Sequence, residues 1–108
     1  MAYDEGLAER IRAVLAADAV DERRMFGGLA FMVAGNMCCG IVGDELMVRV
    51  GPEAYAAALA DPHAREMDFT GRAMRGMVYV DATGVTEDAA LESWVHQGLA
   101  YARSLPPK

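Results

Sequence analysis

Two adjacent thiols, two histidines, a glycine-rich segment and a small group of arginines are the features of this chain that could do chemistry. Cys38-Cys39 could bind a soft metal or take part in thiol redox chemistry. On a regular strand, however, neighbouring side chains point to opposite faces, so a mutual disulfide needs a distorted peptide and a shared metal needs a bulge. That geometry makes Cys39 a small core residue. It leaves Cys38 on the other face with Arg49 across from it, a cation that would favour the thiolate. His63 follows Asp61-Pro62 in a loop, and His96 lies one turn after Glu92 on the polar side of a helix. No HxxxH, CxxC or carboxylate cluster accompanies either, so no metal site is expected. Phe26-Gly27-Gly28-Leu29 leads into a strand, whereas nucleotide loops open a helix, so no cofactor is expected there. Arg72 and Arg75, with Arg65 nearby, form one local basic cluster around Thr70-Gly71, suited to an anion or an acidic partner. No serine or threonine sits in a GxSxG-type context. No catalytic residues emerge, and a non-enzymatic role is expected.

The elements that must position these residues are read from turn chemistry and periodicity. Between Arg23 and Gly51, three short apolar runs are separated by Gly35-Asn36 and Gly43-Asp44, dipeptides that supply the positive φ of two-residue hairpin turns. Pairing outward from those turns sets Ala34 opposite Met37, Met32 opposite Cys39 and Ala30 opposite Ile41, then Ile41 opposite Leu46 and Cys39 opposite Val48. One face then carries Ala30, Met32, Ala34, Met37, Cys39, Ile41, Leu46, Val48 and Val50, with no charge. The other carries Leu29, Phe31, Val33, Cys38, Gly40, Val42, Glu45, Met47 and Arg49. The uncharged face is expected to be core, and the mixed face to be open. Arg23 to Phe26 begins the sheet in this reading, with Gly27-Gly28 bending the chain into the next strand.

A first amphipathic helix is expected from about Glu5 to Ala17, with Leu7, Ile11, Val14 and Leu15 in phase and Asp4 as N-cap. Gly51-Pro52 opens a short Ala-rich helix that Asp61-Pro62 ends. Met67 to Phe69 and Met74 to Val80 read as two further strands. The last helix starts near Thr86, carries Leu91, Trp94, Val95, Leu99, Ala102 and Leu105 as its stripe, and stops at Pro106-Pro107. The expected fold is α+β, a two-layer, five-stranded antiparallel sheet with three helices on one face, in the order αβββαββα. Residues 1–108 read as a single domain.

Composition narrows the function. A net charge of −6 and a pI of about 4.7 argue against direct nucleic-acid binding and against an anionic membrane surface, since both need clustered cationic charge. The acidic N-terminus has no apolar signal region and no run approaches membrane-spanning length, which places the protein in the cytoplasm. Two adjacent cysteines are no secreted disulfide framework.

The segments RRMFGGLAFMVAGNMCCGIV, LMVRVGPEAY and MDFTGRAMRGMVYVD, closing with a helix that bears Trp94 and the run LAYARSLPPK, resemble the TfoX N-terminal domain family, also called TfoX/Sxy. MFGG at Met25 to Gly28 and GRxMxGxVYV from Gly71 to Val80 are the most specific parts. The resemblance implies a secretion-chaperone-like fold and a regulatory role, since the family's named member regulates competence genes together with other proteins. The expected function is therefore a protein-interaction module, as a homodimer or with a protein partner. It would act through an open face of Leu29, Phe31, Val33, Cys38, Val42, Met47 and Arg49. A thiol-dependent, redox-responsive activity at Cys38 is the alternative.

Overall fold

The computed structural model describes residues 3–25, 27–68 and 73–107, with backbone alone at 67, 68 and 73–75. Three α-helices, α1 (Glu5–Val14), α2 (Tyr55–Leu59) and α3 (Asp88–Ser104), accompany six strands. These are β1 (Asp21–Met25), β2 (Gly28–Val33), β3 (Asn36–Val42), β4 (Glu45–Arg49), β5 (Ala64–Asp68) and β6 (Ala73–Val80), with a single 3₁₀ turn at Ala82–Val85 before α3. All strand pairs are antiparallel, in the order β1-β2-β3-β4-β6-β5. The architecture is α+β as expected, but with six strands rather than five and the order αββββαββα.

The extra strand is β1. Its sequence, DERRM, has no apolar alternation to announce a strand, and all five of its residues are exposed. It forms because β2 has an unpaired edge to fill: Arg24 pairs with Leu29, and Met25 with Gly28, closing a reversal in which Gly27 takes a φ of 76°. The glycine pair read as a bend into the next strand is thus part of a hairpin that joins β1 to β2.

The β2–β3 hairpin corrects the register. Its turn is Ala34-Gly35, both at positive φ (51° and 85°), closed by Val33 opposite Asn36. Two residues further in, the pairing slips: Met32 faces Met37, but Phe31 faces Cys39, so Cys38 is the unpaired residue of a β-bulge. Moving the turn by one position keeps each side chain on its face, because the partner changes by two. The bulge changes it by one more, and that turns β2 over relative to the expectation. Leu29, Phe31 and Val33 therefore face the helices, and Ala30 and Met32 face away. On β4 the expected phase holds, since Ile41 faces Leu46 and Cys39 faces Val48 as expected from the Gly43-Asp44 turn.

The core lies between this sheet face and all three helices. Leu29, Phe31, Ile41, Leu46, Val48, Val78 and Val80 meet Leu7 and Ile11 of α1, Ala58 of α2, and Leu91, Val95, Leu99 and Ala102 of α3. Asp4 caps α1 through its carboxylate to the Leu7 N–H (3.1 Å). Thr86 does not cap α3; its hydroxyl donates to the Ala82 carbonyl instead, and Glu87 is the N-cap residue. α1 is held by Arg10, which donates to the Val85 carbonyl (2.7 Å) and pairs with Asp88. Gly98 lets α3 press onto the bulge: a Cβ there would lie 2.4 Å from the Cys38 carbonyl oxygen. Gly98→Ala should therefore lift α3 from the sheet and cost about 1–3 kcal/mol, the usual range for overpacking, read as a lowered midpoint in urea unfolding. An unchanged midpoint would mean that the helix is not seated on β3.

Candidate interaction face

The second sheet face is assembled by alternation. From β2 come Ala30 and Met32, from β3 Met37, Gly40 and Val42, from β4 Glu45, Met47 and Arg49, from β6 Met77 and Tyr79, and from β5 Arg65. Met47 (0% exposed) and Met77 (7%) pack together under half-buried Met37, Val42 and Tyr79, a cluster that contains no helix residue among those described. Met47 bends over Gly40, since a Cβ on that glycine would meet its Cε at 2.8 Å. Phe31, which the unbroken register places on the same face as this glycine, is instead in the helix-side core. A thin layer of flexible thioether side chains thus covers the backbone of the central strands.

Polar groups frame the layer. The Arg65 guanidinium grips Glu45 through both of its terminal nitrogens and lies 4.7 Å from the Tyr79 ring centroid. Glu45 raises the Arg65 pKa, and burial pushes the Tyr79 hydroxyl up. Arg49 places its guanidinium carbon 5.5 Å from the ring centroid of Tyr101 on α3.

Of the face expected from sequence, Val42, Met47 and Arg49 lie where they were placed. Leu29, Phe31, Val33 and Cys38 do not: all four are buried in the core beneath the helices, because the bulge inverts the phase of β2 and turns Cys38 inward. Reading the sequence as unbroken strands missed Met32, Met37, Met77 and Tyr79. The alternation of Val78 and Val80 with Met77 and Tyr79 was the signal for the β6 pair. Met32 and Met37 were assigned to the core by the register error. The open apolar patch is smaller than expected, since Met25 is the one large hydrophobic residue among those described that is strongly exposed (42%). Arg72 lies outside the described residues; Arg75 belongs to β6, but its side chain also lies outside them.

The bulge also changes the thiol chemistry. Cys38 and Cys39 were expected on opposite faces; both are instead fully buried in the helix-side core. Cys38 Sγ donates to the Val95 carbonyl (3.8 Å). The Cys39 thiol is pushed up by its hydrogen bond with Cys38, then by burial and by the neighbouring sulfur's charge. Arg49, turned toward Tyr101, does not supply the cation that the redox reading needed. Among the described residues no group of three or more His, Cys, Asp or Glu side chains could hold a metal.

His63 is not an isolated loop residue. Its Nδ1 lies 3.1 Å from Asp81 Oδ1, the same oxygen that accepts from the Thr83 hydroxyl (2.7 Å) and the Gly84 N–H (2.9 Å). This knot closes the 3₁₀ turn between β6 and α3, and its hydroxyl, that of Thr83, donates to Asp81.

Residues 13–102 match the family model described as the TfoX N-terminal domain, a span that takes in all six strands and most of α3. No curated protein and no solved structure matches the chain.

Two outcomes follow from this geometry. Alkylation of Cys38 and Cys39 at neutral pH should be far slower than for a free thiol and should accelerate only as urea opens the core; rapid labelling of the folded protein would contradict their burial. The Asp81 carboxyl is held below its ordinary value, chiefly by Thr83 and also by Gly84 and His63, and Glu22 is held down by Arg12. Depressed carboxyl pKa values contribute stability that is present above the ordinary range and lost as pH falls through it, so thermal stability should drop below about pH 5. Asp81→Asn should flatten that decline, and an identical pH profile would remove Asp81 from it.

Proposed function

This chain belongs to the TfoX N-terminal domain family, and from that premise we propose that it is a non-enzymatic regulatory module that binds a protein partner through its helix-free sheet face. The observation that carries the reading is the layer of Met47, Met77, Met37, Val42 and Tyr79 on a face that no helix covers among the described residues. Thioether side chains have three soft torsions and polarisable sulfur, so they can re-pack around differently shaped apolar partners. Glu45, Arg65 and Arg49 at the margins would orient such a partner rather than supply most of the affinity. The family's regulatory member suggests that the partner belongs to the transcription machinery of competence genes. The net charge of −6 makes contact through another protein a better fit than direct attachment to DNA.

The cytoplasm is the compartment we assign, on the two unbridged cysteines and the acidic composition; no helix among the described residues is long and apolar enough to cross a membrane. The thiol-dependent alternative is the weaker reading, because neither sulfur reaches solvent and burial raises the cost of a thiolate.

The test compares affinity capture from the native cell by the wild-type protein with capture by Met37→Glu and Val42→Glu. Both positions are only half-buried, so the variants should remain folded by circular dichroism. Each should reduce recovery of a specific partner by roughly tenfold, the effect of losing one well-placed apolar contact, whereas Met37→Leu should retain it. Equal recovery by all four proteins would place the binding surface elsewhere.

A further inference from the structure

The outer edge of the sheet holds charges without an ion-pair partner among the described residues. β1 ends the strand order, pairs only with β2, and is exposed along its whole length. Among the described side chains Arg10, Arg12, Arg65 and Arg103 each hold a carboxylate, and Arg49 lies against Tyr101. Arg23 and Arg24 hold none. Asp21 is likewise without an ion pair among the described residues, while Glu22 is gripped by Arg12 at 2.7 and 2.8 Å. Two arginines without a carboxylate and an aspartate without a cation therefore sit together on one strand edge, beside a row of backbone donors and acceptors that lacks a neighbour among the described residues.

We propose that this edge pairs with the same edge of a second copy, joining two sheets across β1. A continuous antiparallel sheet with two-fold symmetry needs its axis normal to the sheet, which keeps the helix layers of both copies on one side. That condition allows only registers in which directly opposed residues come from the same face. Centred on Glu22, the pairing sets Asp21 opposite Arg23 of the second copy, and Arg23 opposite the second copy's Asp21. Each contact occurs on the helix-free face. Arg24 falls diagonal to the second copy's Glu22 on the helix side. The two Glu22 side chains meet at the axis, each already neutralised by its own Arg12. The segment Asp21-Glu22-Arg23 thus sets opposite charges against each other when reversed about Glu22, unlike an edge of one repeated charge, which would repel a copy of itself. The result is a twelve-stranded sheet whose two methionine layers lie on the same side.

This inference does not depend on the partner reading, and its test separates the two. Sedimentation of the full chain at low salt and high micromolar concentration should show a dimer that dissociates as salt is added. Asp21→Arg alone and Arg23→Asp alone should each weaken it by about tenfold or more, since each replaces two attractions with two repulsions. The double variant carrying both changes should dimerise again, because the opposed pairs return with their signs exchanged. Met37→Glu should leave the dimer intact. A monomer under all these conditions overturns the proposal, as does a dimer indifferent to both single reversals or a double variant that stays monomeric.

Discussion

The bulge at Cys38 is the constraint on which the other features rest. β3 has to satisfy inward-facing positions at both ends. Near its start, Asn36 is 1% exposed and donates its side-chain N–H to the Pro106 carbonyl (3.0 Å), tying the chain after α3 to the hairpin. Further along, Ile41 must face the helices opposite Leu46. Asn36 and Ile41 have opposite parity, so a regular strand could bury one only by exposing the other. One extra residue resolves the conflict, turns both cysteines inward and presents the Cys38 carbonyl to Gly98. The close approach of α3 to the sheet follows.

That arrangement divides the sheet unequally. The helix side receives branched and aromatic residues whose shapes interlock with Leu91, Trp94, Val95 and Leu99. The other side receives methionines, which close over Gly40 without a second layer and leave little apolar area in water. Shape specificity is thus concentrated where the fold needs it, and adaptability where a partner would arrive. The arginines follow the same division: Arg10 and Arg12 fasten α1 to the rest of the domain, whereas Arg65 and Arg49 lie over tyrosine rings at the margins of the free face.

Much of the architecture was legible in the sequence. The stripe of α3, the Asp4 cap, the Gly43-Asp44 turn and the phase of β4 depend on neighbours within one or two turns of chain, which periodicity and turn chemistry report directly. β1 was legible only as the start of the sheet at Arg23 and not as a strand of its own, because an exposed edge strand buries no side chains and needs only a neighbour with free backbone groups. Four of the seven residues of the expected interaction face were misplaced for a single reason. Leu29, Phe31, Val33 and Cys38 took their face from an assumption of unbroken alternation, and one unpaired residue reverses it.

The sequence by itself determined the class of fold and the family, since these rest on local pattern and residue type. Which way β2 and the two thiols point was decided only in three dimensions. A bulge is favoured by no residue on its own. It arises because the Asn36 bond to Pro106, the seat of Gly98 on Cys38 and the burial of Ile41 can all be satisfied together only if β3 carries one residue more than β2.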